Sequence, residues 1–315
     1  MVLLNFTCSE EILHNWSTAV FAKSSTRLSP IKSELKALAT VNSVGSFIGI
    51  VGNVLVCFVI AKFRFLGRRK AELFIVSLAV ADLLVCVCAQ PMYVLFLHDV
   101  LPDRLNVIRK TITWISTLVS ISNLFAISVE RFLSLYFLHR FSLFIPDRVI
   151  WSAILITWVV AICFGAPSAT IRQARIVSQY FLITILLIIP VLYTGTFYIV
   201  RLQQKRIRKQ LCTKQLCTKQ LSSSQKTFAR ERKIVYMIAI VVGAFYLCFI
   251  PLIIVPFFFS VRVSATVRAN ALRAFPWVNT IAFCNSCLNP YLYYWRSLRF
   301  RLALEFIFRR LLEKK

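Results

Sequence analysis

Residues 73–97 read LFIVSLAVADLLVCVCAQPMYVLFL, an apolar run in which Asp82 is the single charged residue. An α-helix needs about 20 apolar residues to cross about 30 Å of hydrocarbon, so this run is long enough to span a membrane. It lacks the strict alternation, over segments of about 10 residues, that marks the strands of a membrane barrel. The run therefore predicts a transmembrane helix with a carboxylate near the middle of the bilayer.

Six further runs of similar length and composition lie along the 315-residue chain. The seven predicted spans are Leu38–Ala61, Leu73–Leu97, Ile112–Leu138, Val149–Pro167, Ile176–Val200, Ile234–Phe259 and Ala274–Tyr294. The composition agrees, because 58% of the residues are hydrophobic and 16% are charged, against about 45–50% and about 25% in soluble proteins. The sequence predicts an all-α membrane protein, a seven-transmembrane helix bundle over residues 38–295.

The basic residues are distributed unevenly between the two sides of this bundle. The chain has 38 Lys and Arg against 12 Asp and Glu, a formal net charge of +26. The segments after spans one, three, five and seven hold 26 of the basic residues, with Arg131 counted among them, and the other segments hold 12. Since basic loops stay in the cytoplasm, the N-terminus is expected outside and the C-terminus inside. The positive charge then indicates orientation toward anionic lipid, and no nucleic-acid partner is expected.

The segments outside the spans fit this orientation. The tail over residues 1–37 is expected to be extracellular, and it carries two glycosylation sequons, at Asn5 and Asn15. It has no continuous apolar core of the kind a signal peptide contains. The long loop over residues 201–233 and the segment over residues 296–315 are expected to be cytoplasmic. The chain is therefore expected to be a multi-pass protein of the plasma membrane.

Several polar residues lie inside the predicted spans, where they need partners or water. Asp82 is the most costly of them, and Asn53 and Asn289 are expected beside it. Ser120 and Asn285 come from spans three and seven, and Asn285 shares a helix face with Asn289, four residues on. These residues predict one buried polar cluster. A structural hydrogen-bond network and an ion or proton site explain it about equally well.

The third span ends in Glu130 and Arg131, an acid beside a base at the membrane boundary. They are expected to form a local ion pair, with Glu231 as a second acidic partner, although a generic pair of snorkelling side chains explains the same spacing. Prolines within spans four to seven remove backbone donors and predict kinks that can act as hinges. These prolines are Pro167, Pro190, Pro251, Pro256 and Pro290.

A membrane enzyme is not expected from this sequence. A metal hydrolase would need several histidines or carboxylates converging inside the spans. The three histidines His14, His98 and His139 fall in loops or at span ends, and Asp82 has no second carboxylate within the spans. A transporter is disfavoured because the two halves of the chain show no internal repeat.

Motifs in the successive spans match one known family. They are Gly52-Asn53, Leu78-Ala-Val-Ala-Asp82, Glu130-Arg131-Phe132, Trp158, Pro190 with Tyr198, Phe245-Tyr-Leu-Cys248-Phe249-Ile-Pro251 and Asn285-Ser-Cys-Leu-Asn289-Pro290-Tyr-Leu-Tyr293. With these motifs in order, the chain resembles a rhodopsin-like (class A) G-protein-coupled receptor over nearly its full length. The basic amphipathic stretch Ser297–Leu312 is similar to the family's short eighth helix on the membrane surface.

The resemblance implies a function and residue roles. The chain would transduce an extracellular ligand signal to heterotrimeric G proteins through outward movement of the sixth helix. A receptor-like protein with weak, constitutive or absent coupling is the alternative. No cofactor is implied except an allosteric sodium ion, held by Asp82, Ser120, Asn285 and Asn289. The implied switch residues are Arg131 with Glu130 and Glu231, the connector Ile121, Pro190 and Phe245, the inward-turning Tyr198 and Tyr293, and the hinges Pro251 and Pro290.

The chain departs from the family's pattern at four positions. Asn106 stands where the family has a cysteine bonded to the second outer loop, and that loop has no cysteine. Phe249 replaces the usual tryptophan of the sixth span. Thr113 stands where amine receptors have an aspartate, which disfavours a monoamine ligand. Phe283 occupies the position of the retinal lysine of opsins, which excludes covalent retinal.

The resemblance also places a ligand pocket at the outer ends of the spans. Its expected lining is Gln90, Tyr93, Thr113, Trp114, Thr117, Phe249, Leu252, Ile253, Asn279 and Phe283. The expected mouth carries the cations Arg109, Lys110, Arg172, Arg175, Arg262, Arg268 and Arg273, against Asp99 and Asp103. These cations could attract anionic lipids, acidic peptides or carboxylates. Ordinary solvated loop charge is the simpler explanation of these cations, and the ligand's identity does not follow from the sequence.

Overall fold

The computed structural model describes residues 32–62, 70–137, 146–213, 236, 239–259, 263–296 and 298–312. Within these residues the regular structure is helical throughout. The helices are α1 Lys32–Lys62, α2 in two segments Lys70–Leu84 and Gln90–Leu97, α3 Asp103–Phe137, α4 Asp147–Ser168, α5 Arg172–Thr213, α6 Ala239–Ile254, α7 Ala265–Arg296 and α8 Leu298–Leu312. The sequons at Asn5 and Asn15, together with Glu231 and Arg262, lie outside the described residues.

Seven of the eight helices correspond to the predicted spans. Five of them, α1 to α5, are long and apolar enough to cross a membrane on their own. The described part of α6 is a shorter apolar helix that continues into a 3-10 turn, Val255–Phe259. The seventh, α7, is 32 residues long and includes the polar motif residues and two prolines, Pro276 and Pro290.

The helices extend beyond several predicted spans. Helix α3 begins at Asp103, nine residues before the predicted start at Ile112, and α5 runs to Thr213, past the predicted end at Val200. Hydropathy marks only the part of a helix that lies in hydrocarbon, whereas the backbone hydrogen bonds of the helix continue into the polar layer. Both helices thus continue into segments that the sequence places outside the hydrocarbon, α3 over residues 103–111 and α5 over residues 201–213.

A five-residue π turn, Val85–Ala89, divides α2. The backbone N–H of Gln90 donates to the carbonyl of Val85, five residues earlier. Pro91 follows directly and has no N–H, so the regular pattern cannot continue through this turn. The extra residue shifts the outer third of α2 around its axis, and Gln90 and Tyr93 are buried there. The hinge prolines predicted from the sequence did not include Pro91.

Glycines allow close approach between helices. A Cβ on Gly49 of α1 would lie 2.4 Å from the Sγ of Cys86 in α2, and a Cβ on Gly52 would lie 2.8 Å from the Cβ of Pro290 in α7. On α4, a Cβ on Gly165 would lie 3.0 Å from the backbone nitrogen and 3.1 Å from the Cα of Ile115 in α3. Small residues at helix contacts are how membrane helices gain close packing.

We expect Gly165→Ala to destabilise the bundle by about 1–3 kcal/mol, because its methyl group meets backbone atoms of α3 that cannot rotate away. Gly243 in α6 is the matched control, since a Cβ there would have no atom of the described residues within 4 Å. Gly243→Ala should leave stability unchanged or raise it, because alanine favours a helix over glycine. Thermal unfolding of the purified variants measures the difference. Equal midpoints for the two variants would contradict the packing described above.

The main core runs through the middle and inner parts of the bundle. Ile121 and Leu124 of α3, Ile189 of α5 and Phe245 of α6 are almost fully buried within it. The helix α8 packs against the same core through Phe300, Ala303, Leu304 and Ile307. Its Leu302 and Phe306 are exposed, and the guanidinium of Arg310 lies 4.7 Å from the Phe306 ring. The fold is thus a seven-transmembrane bundle with a short amphipathic eighth helix, as predicted.

Candidate functional site

A buried carboxylate lies in the middle of the bundle. Asp82 is completely buried, and its Oδ2 accepts a hydrogen bond from Nδ2 of Asn289 at 2.8 Å. Ser286, three residues before Asn289 on α7, is also buried. Ser120 and Asn285 are also buried. The predicted pairing of α2 with α7 through Asp82 and Asn289 is therefore observed.

Two oxygens of this cluster have no hydrogen-bond partner among the described residues, Oδ1 of Asp82 and Oδ1 of Asn285. A buried polar atom without a partner costs about 1–3 kcal/mol, and more when it is charged. Hard cations bind carboxylate and carbonyl oxygens of this kind. The buried hydroxyl of Ser120 from α3 is a further oxygen of a type that such cations accept as a ligand.

Two further buried asparagines, on α1 and α3, bond to groups other than Asp82. Asn53 donates from Nδ2 to the carbonyl of Ser286 at 3.0 Å, so it ties α1 to the backbone of α7. Asn123 donates to Oγ of Ser77 at 3.0 Å, and Nε1 of Trp158 donates to the same oxygen at 3.0 Å. The second network joins α2, α3 and α4. The polar residues thus form separate networks because each faces a different neighbouring helix.

At the inner end of α3, Glu130 and Arg131 form the expected ion pair. Nε of Arg131 lies 2.6 Å from Oε2 of Glu130, and both side chains are 7% exposed. A generic snorkelling pair would keep its charges in water, so this burial favours a structural restraint on Arg131. The expected second acid, Glu231, lies outside the described residues.

The two tyrosines expected to turn inward are not seen together in the bundle. The Tyr198 side chain is 63% exposed, so in this conformation it faces away from the core, contrary to the expectation. The side chain of Tyr293 is outside the described part of the structure. Instead Tyr193, five residues before Tyr198 on α5, is buried in the core. The sequence signal for Tyr193 was weak, because both tyrosines follow Pro190 on an apolar helix.

The connector residues are only partly together. Ile121 and Phe245 are buried in the same core, whereas Pro190 is exposed and its neighbour Ile189 packs in its place. The ring of Phe245 stacks on that of Phe249, with 4.2 Å between centroids. The hydroxyl of Tyr246 donates to the carbonyl of Leu186, a short contact that joins α6 to α5. The sequence did not indicate this role of Tyr246.

Part of the expected ligand pocket is a compact aromatic group between α2 and α7. The ring of Tyr93 lies edge-on to that of Phe283, with 5.2 Å between centroids, and the Tyr93 hydroxyl donates to the carbonyl of Pro276. Trp277, which was not predicted here, packs against the same group. Gln90 is fully buried below it, and its Nε2 has no partner among the described residues.

The other expected pocket residues are half-buried, buried in the core, or hydrogen-bonded to backbone carbonyls of their own helices. Oγ1 of Thr113 donates to the carbonyl of Arg109, and Nδ2 of Asn279 donates to the carbonyl of Phe275. Phe249 is buried on the core side. The remaining four, each half-buried, are Trp114, Thr117, Leu252 and Ile253.

The cations expected at the mouth have different environments. Arg273 pairs with Glu34 of α1, and this hydrogen bond raises the pKa of Arg273. Nε of Arg175 donates to the carbonyl of Ser168 at 3.0 Å. Arg172, Asp99 and Asp103 are exposed. Arg109 differs from all of these because it is buried against aromatic rings.

Several known receptors are similar to this chain in sequence over most of its length. The pig (Sus scrofa) growth hormone secretagogue receptor type 1 is 24% identical over 86% of this chain and 80% of its own length. The dog (Canis lupus familiaris) histamine H2 receptor is 28% identical over 86% of this chain and 79% of its own length. A D(5)-like dopamine receptor from Takifugu rubripes is 26% identical over 78% of this chain and 61% of its own length.

The fold is also that of a solved structure. The crystal structure of squid rhodopsin superposes with a TM-score of 0.77 at 18% identity, covering 90% of this chain and 87% of that one. The sequence profile of the 7 transmembrane receptor (rhodopsin family) matches residues 52–182 and 174–293, which together take in the predicted motifs of all seven spans. On this match the chain belongs to the rhodopsin family of seven-transmembrane receptors.

Proposed function

We propose that this receptor transduces an extracellular ligand signal to a heterotrimeric G protein, with its N-terminus outside the plasma membrane and its C-terminus inside. The observation that carries the proposal is the buried ion pair of Glu130 and Arg131 at the inner end of α3. A buried arginine held by its sequence neighbour can be released without unfolding, and it then offers a cation to a partner at the inner face. The basic inner loops fit such a partner and the anionic lipid around it.

A series of packed groups runs from the expected pocket into the core between α3, α5 and α6. Phe249, one of the expected pocket residues, stacks on Phe245, which packs in the core with Ile121 of α3. The bond from Tyr246 to Leu186 holds α6 against α5. A ligand that favours a different position of Phe249 would shift the population toward a state in which this bond opens and the inner part of α6 swings outward about Pro251. Arg131 would then become accessible.

The Asp82 cluster would regulate this equilibrium. Asp82, Ser120, Asn285 and Asn289 would hold a sodium ion, which supplies a positive charge to the buried carboxylate. The proposal is supported by the unpartnered oxygens of Asp82 and Asn285. Because Asn289 belongs to α7 and Ser120 to α3, a bound ion would favour the arrangement that keeps α2, α3 and α7 together.

A receptor-like protein with weak, constitutive or absent coupling is the second candidate. It is favoured by Asn106, which stands in place of the outer cysteine, and by Phe249 in place of tryptophan. The relatives' names give three different ligands, and the residue that amine receptors use for their ligand is here Thr113. We therefore do not transfer a ligand from any relative.

Nucleotide exchange separates the two candidates. Purified receptor in lipid nanodiscs is mixed with each class of heterotrimeric G protein, and GTP-analogue uptake is measured without ligand. For a coupled receptor we expect at least one G protein to respond above empty nanodiscs, and Arg131→Ala to reduce that response to background. Equal silence of the wild type and Arg131→Ala with every G protein, in the basal state and with a ligand once one is found, would favour the second candidate.

A further inference from the structure

Arg109 is a buried cation at the outer end of the bundle. Its residue exposure is 9%, whereas Arg104, on the same helix and five residues earlier, is exposed. Removing a charge from water is costly, so a buried arginine needs hydrogen-bonding or charged partners. Solvated loop charge therefore explains Arg104 but not Arg109.

The guanidinium of Arg109 is held in one orientation. Its Nε and Nη2 both donate to Oδ1 of Asn106, at 3.1 and 2.8 Å. Its Cζ lies 4.8 Å from the centre of the Phe96 ring and 5.4 Å from that of Tyr93. Asn106 and Phe96 thus fix the planar group by hydrogen bonds on one side and by cation–π contacts with α2 on the other. An arginine oriented in advance loses little freedom when it binds a carboxylate through two parallel hydrogen bonds.

This oriented cation borders the expected pocket. Thr113 is one turn deeper on the same face of α3, and its hydroxyl bonds to the Arg109 carbonyl. Tyr93, under the guanidinium, makes the edge contact with Phe283. The sequence places no Asp or Glu among the expected pocket residues, so a ligand ammonium would lack a counter-charge there. The chemistry of this corner is a cation above an aromatic, apolar surface.

We propose that Arg109 binds the carboxylate of the extracellular ligand, whose apolar part lies against Tyr93 and Phe283. The ligand class is a carboxylic acid with an apolar or aromatic body. Asn106 is a positioning residue that acts through Arg109. The proposal rests on the proposed receptor function, but it is tested by binding, which does not require coupling to a G protein.

The test compares acids with neutral and cationic analogues of the same shape. Purified full-length receptor in nanodiscs is titrated with phenylacetate, phenylacetamide and phenethylamine, and with decanoate, decanamide and decylamine. The rise in the thermal unfolding midpoint gives the apparent affinity, and empty nanodiscs correct for partition into lipid. We expect at least one acid to stabilise the wild type at about tenfold lower concentration than its amide, and the amines to be weaker still.

Variants identify the residue responsible. In Arg109→Gln the preference for the acid over the amide should be lost. Arg109→Lys should retain part of this preference, and Asn106→Ala should show a reduced preference. Arg104→Gln removes an equal charge from the exposed face and should leave the preference unchanged. The proposal is overturned if acids and amides stabilise the wild type equally or not at all, or if the acid preference survives in Arg109→Gln. A lower midpoint of that variant with an unchanged preference would show that Arg109 only fastens α3 to α2.

Discussion

Replacing Glu130 by glutamine should raise ligand-free nucleotide exchange on the cognate G protein by about tenfold or more. The ion pair of Glu130 and Arg131 is buried, with 7% exposure of both side chains, and its partners are adjacent in the chain. Breaking a buried pair by removing one partner typically costs about 3–5 kcal/mol. If even about 1.4 kcal/mol of that cost falls on the closed state alone, the population of the open state rises tenfold.

The double variant Glu130→Gln with Arg131→Ala separates release of the arginine from general loosening of the helices. Its exchange should return to background, because the group that glutamine releases is then absent. Glu305→Gln on α8 removes an exposed acid from the inner face and should leave exchange unchanged. High activity of the double variant would mean that Arg131 is not the group released.

The fold follows closely from the sequence, since each predicted span corresponds to a described helix. The length of an apolar run reports directly on the bilayer, because no other solvent imposes a length of about 20 residues. Asp82 and Asn289 were likewise predictable as partners, because a lone buried carboxylate must find a donor. The ion pair of Glu130 and Arg131 could be predicted because the two residues are adjacent in the sequence.

The predictions that were wrong concern which side chains of a helix face the core. This depends on the rotation of the helix about its axis, which hydropathy does not specify. Tyr198 and Tyr193 are both aromatic residues on an apolar helix, and the structure buries the second and exposes the first. In α2, the π turn before Pro91 alters the face that Gln90 and Tyr93 present. A pattern with a period of 3.6 residues assumes that no such turn intervenes. Asn53 was expected beside Asp82, and it bonds instead to the backbone carbonyl of Ser286 in α7.

The burial of Arg109 could not be read from the sequence for a related reason. In sequence it is one of seven cations at the expected mouth, and charge alone does not distinguish them. Its contacts with Tyr93 and Phe96 require the outer part of α2 in the rotation that follows the π turn. The proposed ligand-binding corner thus depends on an irregular feature of α2, as functional sites often do.

Replacing Asp82 by asparagine should abolish the effect of sodium on stability. For the wild type, sodium at ten times its dissociation constant should stabilise the receptor by about 1.4 kcal/mol, a shift of a few degrees in the unfolding midpoint. Asparagine has nearly the same shape as aspartate but lacks the charge that offsets the dehydration of the cation. Thermal unfolding in sodium chloride is compared with choline chloride at equal ionic strength, so that general screening cancels.

Ser77→Ala is the matched control for this variant. Ser77 is also buried on α2, but it bonds to Asn123 and Trp158 and not to the Asp82 cluster. Its loss should lower the midpoint, because two donors lose their acceptor, yet the sodium shift should remain. If sodium still stabilised Asp82→Asn by the full amount, the ion would bind elsewhere. Loss of the sodium shift in Asp82→Asn, with its retention in Ser77→Ala, would instead assign the unpartnered oxygens of Asp82 and Asn285 to a cation that holds α2, α3 and α7 together.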